Sequence, residues 1–308
     1  MNSRDVPFAE KVRSAAGWNQ TAADWQRFLA LAPEGCFVAE WNGVPAGTAT
    51  TIEYGRDLAW IGMVLVEANF QRRGIGTALL KQCLDHLQQR GVRCIKLDAT
   101  PLGKKLYDTL GFKDEFGLRR WERPAPPPSD LLRKTEPQSV SGTGSERSCT
   151  SSWPISSENP PVVRDSDVWP KQDLLRGQRV DQLDHAAFGA PRTALRQSLE
   201  ALSPAATKVE TDTVTLGYGM VRPGSRSMYL GPIVARSSRV GCQIVENLLA
   251  RLEGKPVFWD IPDDNHAAVS LAMELGFNPQ RPLTRMYLGE FVKGEPQMQF
   301  AIAGPEVG

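Results

Sequence analysis

The residues Gln71 to Gly76, Gln-Arg-Arg-Gly-Ile-Gly, have the composition of an anion-binding turn. The two glycines let backbone N–H groups approach a ligand without a Cβ atom in the way, and the two arginines add positive charge. An apolar run, Ile61 to Val66, precedes the turn and is typical of a buried strand, whereas apolar residues at helical spacing follow it from Ile75. The turn therefore leads into a helix N-terminus, where unpaired N–H groups and the helix dipole favour a phosphate or diphosphate.

Two interpretations of this turn come from general motifs. A dinucleotide-binding fingerprint, Gly-x-Gly-x-x-Gly, is matched at Gly74 and Gly76, with Asp98 at about the expected distance downstream. Leu79 occupies the third glycine position, however, and strands are already indicated before this unit. An ordinary tight turn with solvated arginines is the simpler alternative, because Gly-x-Gly pairs are common. The Walker phosphate loop requires Gly-Lys-Ser/Thr, which this turn lacks.

A third interpretation is a resemblance to a known family. The turn resembles the Q/R-x-x-G-x-G/A signature with which GCN5-related N-acetyltransferases bind acetyl-CoA, and Leu106 to Phe112 resembles the LYxxLGF helix end of that superfamily. The resemblance extends over about residues 23–122. It implies an α+β fold with a mixed sheet, acetyl-CoA as co-substrate, an amine acceptor and no metal.

The same resemblance assigns roles to individual residues. The pantetheine arm is expected in a wedge between strands 58–66 and 94–99, paired with the backbone of Val64 and Val66, with the Leu65 N–H near the thioester carbonyl. The cofactor-binding residues that it implies are Val64, Leu65, Val66, Gln71, Arg72, Arg73, Gly74, Ile75, Gly76, Thr77 and Thr100. Tyr107 corresponds to the family's general acid, whereas the helix pattern alone favours an aromatic ring packed on the sheet.

The general base is not identified by the sequence. Glu53, Glu67 and Asp98 are the nearest carboxylates in the chain. Family members can deprotonate the amine through a chain of water molecules, so none of the three is required. A polar cluster between Asp260 and His266 is interpreted as a capped helix start rather than a metal site.

The elements around the turn predict a meander of three antiparallel strands. Strands 36–41 and 44–54 flank Asn42-Gly43, which is a strong hairpin signal, and strand 58–66 follows. A doubly wound dinucleotide fold does not begin in this way. We also predict, from the chain order, helices over 22–31, 75–90 and 102–110 and strands over 94–98 and 116–121, with no periodic signal before about residue 17.

Composition limits the class of protein. The chain has 308 residues, of which 41% are apolar, and this is enough for two domains with their own cores. A net charge of +1 provides no field that would attract nucleic acid or an acidic membrane. Five scattered cysteines and a polar N-terminal stretch favour reduced thiols and a cytoplasmic location. As the assembly we expect a monomer or homodimer.

The chain divides into segments of different composition. We predict an acetyl-CoA-binding domain over 1–123, a disordered linker rich in Pro and Ser over 124–168, a second domain over 169–290 and a C-terminal tail over 291–308. The fold class is therefore two tandem acyl-CoA N-acyltransferase (GNAT-like) domains joined by a long linker.

The second domain is predicted from an internal repeat. Aligning Gly62 with Gly231 without gaps superimposes matching apolar residues, and each copy ends in Leu-Gly-Phe. In that register Gln243 replaces Gly74 and Val245 replaces Gly76, and counting back four residues from the second Gly-Phe places Ala272 at the position of Tyr107. The second copy is therefore expected to have lost the phosphate cradle and the acid.

Two functions follow from these patterns. The first is an acetyl-CoA-dependent N-acetyltransferase acting on a small-molecule or protein amine, in which the first domain is catalytic and the second shapes the acceptor pocket. The alternative is a non-catalytic acyl-CoA sensor or scaffold, because no base is evident and the second copy lacks the glycines and the tyrosine of the first.

Overall fold

The computed structural model describes residues 1–125, 162–165, 175, 177–252 and 254–308, so most of the predicted linker lies outside the described residues. Of residues 162–165 the backbone is described. The helices are α1 (Val6–Ala15), α2 (Ala22–Leu31), α3 (Ile75–Gln89), α4 (Pro101–Thr109), α5 (Gln178–Phe188), α6 (Thr193–Glu200), α7 (Ser238–Ala250) and α8 (His266–Glu274). The strands are β1 (Cys36–Trp41), β2 (Val44–Tyr54), β3 (Leu58–Val66), β4 (Cys94–Ala99), β5 (Lys113–Arg123), β6 (Val162–Asp165), β7 (Ala205–Glu210), β8 (Thr215–Arg222), β9 (Met228–Ala235), β10 (Val257–Pro262), β11 (Asn278–Gly289) and β12 (Gln299–Ala301).

Local sequence signals explain most elements of the first half. Asn42 and Gly43 have φ angles of 52° and 76°, as a two-residue hairpin between β1 and β2 requires. Thr21 and Asp24 form a capping box at the start of α2. Helix α1 was missed by the sequence analysis, because its buried face is short and includes Ala9 and Val12 with few large apolar residues. Strand β6 lies within the segment predicted as linker and pairs with β7.

The described strands form one mixed sheet that crosses both halves of the chain. Its order is β1-β2-β3-β4-β11-β5-β10-β9-β8-β7-β6, and β12 pairs with β9. Strand β11 of the second half thus lies beside β4 of the first, and β5 of the first half lies beside β10 of the second. Each half is completed by a strand of the other, β11 for the first and β5 for the second, about a pseudo-twofold axis where Leu118 faces Leu283.

Two buried ion pairs fix this exchange of strands. Arg120 of β5 donates to both carboxylate oxygens of Asp260 on β10, at 2.8 and 2.6 Å. Arg285 of β11 donates in the same bidentate way to Asp98 on β4, at 2.8 and 2.9 Å. In each pair the two residues are direct cross-strand neighbours. The pairs set the register, because slipping a strand by one residue would leave buried charges unpaired.

The C-terminal segment after β11 packs into the centre of the molecule. Tyr54 donates to the Val307 carbonyl oxygen at 2.6 Å, and the Trp60 indole donates to that of Pro305 at 3.0 Å. Arg192, in the connection between α5 and α6, donates to the Gly308 carbonyl oxygen. The segment predicted as a tail therefore joins both halves through the hydrophobic core. Among the described residues, no helix has the length and apolar character needed to cross a bilayer.

Removing one partner of a buried pair should test the strand exchange. Asp260→Asn leaves the Arg120 guanidinium buried without a counter-charge, and we expect a loss of about 3–5 kcal/mol in the free energy of unfolding. Urea denaturation followed by circular dichroism measures this loss. The control is Glu290→Ala, which removes an exposed partner of Arg93 and should leave the urea midpoint unchanged. A small effect of Asp260→Asn would show that the pair does not hold the halves together.

Candidate active site

The first half contains a wedge between two parallel strands. Strand β3 pairs with β4 over Leu58–Trp60 and Cys94–Lys96, and beyond these residues the strands separate. A bulge interrupts the pairing of β2 with β3, where Met63 has a φ of 50°. Thr48 stabilises the bulge by donating to the Met63 carbonyl oxygen at 2.9 Å. The structure therefore has the wedge between strands 58–66 and 94–99 that the family resemblance implied, and the resemblance also implies a bulge of this kind in β3.

The glycine-rich turn opens onto this wedge at the start of α3. Gly74 is the N-cap with a φ of 81°, Arg72 has a φ of 60°, and no described side chain caps the helix. The first N–H groups of α3 therefore have no intrahelical partner and are available to a ligand. Gln71 donates to the Val66 carbonyl oxygen at 3.2 Å, which ties the turn to the end of β3.

The wedge and the turn border one cavity of about 1020 Å³. Ten of the eleven predicted cofactor-binding residues line it, together with Tyr107. These are Val64, Leu65, Val66, Gln71, Arg72, Gly74, Ile75, Gly76, Thr77, Thr100 and Tyr107. Arg73 is not among the lining residues, because its guanidinium stacks over Trp41 and Phe70 at 5.5 and 5.8 Å from the ring centroids. Contact of these residues with a cofactor stays a prediction.

Tyr107 reaches the cavity from α4. Its ring packs edge-to-face on Phe112, at 6.0 Å between centroids. The aromatic packing that the helix pattern favours is therefore present. Gly103 leaves space for the ring, since a Cβ there would lie 3.1 Å from it. Burial, and to a smaller extent the nearby Cys83, raise the pKa of Tyr107 to about 12. The phenol therefore keeps its proton at neutral pH, while Thr100 accepts a hydrogen bond from the Gly103 N–H and caps α4.

The three carboxylates considered from the sequence all have cationic partners. Glu53 pairs with Arg90 at 2.7 Å, and Glu67 pairs with Lys11 at 2.7 Å. Asp98, which is the innermost of the three, is held by the cross-strand arginine described above. Among the described residues, no three acidic, histidine or cysteine side chains form a group that could hold a metal ion.

Several cavity residues come from parts of the chain that sequence reasoning did not connect. Helix α1 contributes Lys11 and Val12, β11 contributes Arg281 and Leu283, and the C-terminal segment contributes Glu306. No signal in the sequence identifies them, because the contacts join residues from about fifty to more than two hundred positions apart. The second half of the chain is thus part of the wall of the first-half cavity.

Glu306 is the carboxylate that the C-terminal segment places in this wall. Its Oε2 accepts from Gln20 at 2.7 Å, and Oε1 lies 3.5 Å from the Arg222 guanidinium. Burial raises the pKa of the Glu306 carboxyl, and Arg222 opposes that shift. The segment approaches β3 closely because Gly62 has no side chain, and a Cβ there would meet the Glu306 carbonyl oxygen.

The second half has the equivalent wedge, but the protein itself fills it. Strand β9 pairs with β10 over Met228–Leu230 and Val257–Trp259 before the two strands diverge. Strand β12 pairs with β9 in the gap. On the other side the Trp259 indole donates to the Phe300 carbonyl oxygen at 2.7 Å, and the Ile302 N–H donates to that of Asp260 at 3.2 Å.

The gapless alignment of the two copies was wrong after these strands. Eight residues, 67–74, separate β3 from α3, whereas two residues, 236–237, separate β9 from α7. The second copy therefore lacks the turn by deletion and not by substitution of its glycines. Packing shows the correct register, since Ile75 and Leu79 contact Gly47 as Val240 and Ile244 contact the equivalent Gly217.

The start of α7 is closed as a result of this deletion. Ser237 caps the helix by accepting from the Val240 N–H at 3.4 Å. The ring of Phe300 lies against Gly241, where a Cβ would collide with it. The expectation that the second copy has lost its phosphate cradle agrees with this geometry, although the reason differs.

Comparisons with known proteins match both halves. A model of the acetyltransferase (GNAT) family matches residues 7–112, and a model of an acetyltransferase (GNAT) domain matches residues 180–301. YitH, an uncharacterized N-acetyltransferase of Bacillus subtilis strain 168, is 27% identical over 226 residues, covering 73% of this chain and 67% of that protein. The holothin acyltransferase of Pseudoalteromonas sp. strain SANK 73390 is 22% identical over 296 residues, covering 96% and 88%.

Solved structures show the same fold. A putative acetyltransferase from Pyrococcus horikoshii has a TM-score of 0.75 at 23% identity, covering 100% of this chain and 94% of that one. A tandem GNAT protein from the clavulanic acid biosynthesis pathway has a TM-score of 0.58 at 15% identity, covering 94% and 95%. With an acetyltransferase model matching each half, the chain belongs to the GNAT superfamily of acyltransferases and contains two GNAT domains in tandem.

Proposed function

We propose that the protein is an acetyl-CoA-dependent N-acetyltransferase whose first half is catalytic. The observation that supports this proposal is the difference between the two wedges. The first is open, bordered by an uncapped helix N-terminus, and lined by Tyr107. The second is filled by β12, and its helix is capped by Ser237. An extended acyl-CoA molecule therefore has one wedge to enter.

In this proposal the pantetheine arm pairs with the open edge of β3. The Glu67 N–H donates to the Ala46 carbonyl oxygen on β2 at 2.9 Å. Because N–H groups alternate along a strand, the Leu65 N–H also faces β2, while those of Val64 and Val66 face the wedge. We therefore assign the thioester-carbonyl donor to Val64, in place of the Leu65 N–H expected from the sequence, and the pantetheine contact to Val66.

The diphosphate then lies on the N–H groups at the start of α3. The helix dipole and the positive charge of Arg72 stabilise it there. Arg73 contributes through its backbone in this proposal, since its side chain stacks on two aromatic rings outside the cavity. Thr77, in the first turn of α3, lines the same end of the cavity.

The chemistry is a direct attack of a neutral amine on the thioester carbon. The amine forms a C–N bond, the C–S bond of acetyl-CoA breaks, and the thiolate of CoA leaves. An acceptor amine has a pKa near ~10 and must lose a proton, whereas the thiolate must gain one. Tyr107, protonated at neutral pH, is the proposed donor to the thiolate. Water in the cavity is the proposed route for the proton that the amine releases.

The second half shapes the acceptor end of the cavity in this proposal. Arg281, Leu283 and the C-terminal segment line the wall away from the diphosphate turn. The proposed partners are acetyl-CoA and the amine acceptor. Cys36, Cys83 and Cys94 are buried free thiols, which supports the proposal of a reducing, cytoplasmic compartment.

A second candidate is an acyl-CoA sensor that binds without turnover. The observation that favours it is that all three acidic side chains among the described lining residues have cationic partners. A sensor would bind CoA with unchanged affinity in Tyr107→Phe and release no thiol with any amine. Thiol release over a broad amine panel separates the two functions.

Gly74→Val should weaken binding of CoA at least tenfold. A β-branched side chain is strained at the φ of 81° and places a Cβ where the diphosphate would lie. Isothermal titration calorimetry with CoA measures the change. The matched control is Gly91→Val at the other end of α3, where φ is 71° and the added Cβ also meets open space. If both variants bind CoA as the unchanged protein does, the turn is not the diphosphate site.

Tyr107→Phe should lower kcat by about 10²-fold or more with little change in the dissociation constant for CoA. The phenol donates its proton only below its pKa, and burial moves that pKa up to about 12. The pH profile of kcat/KM should therefore rise with deprotonation of the amine and not fall before about pH 10. A descending limb near neutral pH that disappears in Tyr107→Phe would show a lowered pKa and contradict the assignment.

A further inference from the structure

Arg281 occupies an unfavourable position for a structural residue. It lies on β11 directly opposite Arg120 of β5, so two like charges are cross-strand neighbours. Burial, and then the charge of Arg120, lower the pKa of Arg281 to about 10. The Asp260 carboxylate forms both of its guanidinium hydrogen bonds with Arg120 and none with Arg281. The carboxylates of Asp260 and Glu306 oppose this shift in pKa, but neither forms an ion pair with Arg281.

Arg281 also lacks a partner within the cavity wall. Its Nε is buried without a hydrogen bond, and no residue in the described ranges forms an ion pair with it. Each acidic residue of the wall lies within 4 Å of a cationic side chain: Glu67 of Lys11, Asp98 of Arg285 and Glu306 of Arg222. Arg281 thus contributes to the cavity wall a positive charge that has no ion-pair partner among the described residues.

The internal repeat shows which side chain occupies the position equivalent to Arg281 in the first half. The pseudo-twofold axis through Leu118 and Leu283 relates Arg281 to Phe116, just as it relates Arg120 to Arg285. Arg285 stacks over the Phe116 ring at 5.0 Å from its centroid. An aromatic side chain therefore satisfies the packing beside the buried arginine, and the arginine at 281 requires another explanation.

We propose that Arg281 binds a carboxylate group of the acceptor, so that the substrate is a small amine that also bears a carboxylate. A guanidinium presents parallel N–H donors that match the two oxygens of a carboxylate. Binding would neutralise the charge that the protein leaves unpaired. The proposal rests on the acetyltransferase function, because the amine of the bound acceptor must reach the thioester in the neighbouring wedge.

The test compares acids with their amides as acceptors. Thiol release from acetyl-CoA is measured with glycine, L-alanine, β-alanine and γ-aminobutyrate, and with the amide of each. We expect at least one acid to exceed its amide tenfold or more in kcat/KM for the unchanged protein. In Arg281→Phe, which reproduces the packing of the first half, this preference should fall below threefold, whereas Arg281→Lys should keep part of it.

A matched control removes the neighbouring arginine on the same pair of strands. Arg119→Phe changes charge and size identically but at a side chain that does not line the cavity, and it should keep the preference for acids. Equal loss in Arg119→Phe and Arg281→Phe would overturn the proposal, since general charge would then explain the effect. Urea denaturation should show that Arg281→Phe is at least as stable as the unchanged protein.

A binding measurement makes the result independent of turnover. N-acetylglycine, N-acetyl-β-alanine and their amides are titrated by calorimetry into the protein saturated with CoA. We expect an acid to bind at least tenfold more tightly than its amide, and Arg281→Phe to abolish the difference. CoA binding without any preference for acids overturns this proposal alone. Failure to bind CoA refutes the acetyltransferase function instead, and acids that bind the CoA-free protein through Arg281 would then still support the carboxylate site.

Discussion

The exchange of strands β5 and β11 between the two halves is the constraint on which the rest of the structure depends. Arg120 and Arg285 are each buried against an aspartate of the other half, and a buried charge tolerates neither slippage nor separation of its partner. The two GNAT domains are therefore interlocked by their exchanged strands. Because β11 lies beside β4, residues of the second half are fixed in the wall of the first-half cavity.

The two wedges show how one duplicated fold became asymmetric. Both begin with three parallel pairs and then diverge, so the opening itself is part of the fold. Because only two residues join β9 to α7, the start of α7 lies next to β9, and the C-terminal segment occupies the gap with Phe300 against Gly241. The same segment continues to Glu306 beside the first wedge. One piece of chain thus closes the second site and completes the first.

The sequence predicted the features that depend on interactions between residues close together in the chain. The Asn42-Gly43 hairpin, the turn from Gln71 to Gly76 and the position of Tyr107 follow from turn chemistry and periodicity within short windows. The strand exchange and the burial of the C-terminal segment could not be predicted, because they depend on contacts between distant residues. The gapless repeat failed for a related reason, since a deletion in a loop does not change the helix pattern that follows it. Arg281 could not be recognised either, because its isolation is visible only when its neighbours are known.

The filled wedge also explains what the open wedge lacks. Between β9 and β10 the chain places an extended segment whose backbone forms hydrogen bonds on both sides, to β9 and to Trp259. Unpaired backbone groups of buried strands cost free energy, and this segment satisfies them in the second wedge. Between β3 and β4 no described segment takes that place, and the edges of Val64 and Val66 face the cavity. In the proposed function, a ligand that takes the place of β12 is extended and carries amide groups, and its anionic end lies at the uncapped start of α3. The pantetheine diphosphate of an acyl-CoA has that chemistry, whereas a compact nucleotide does not.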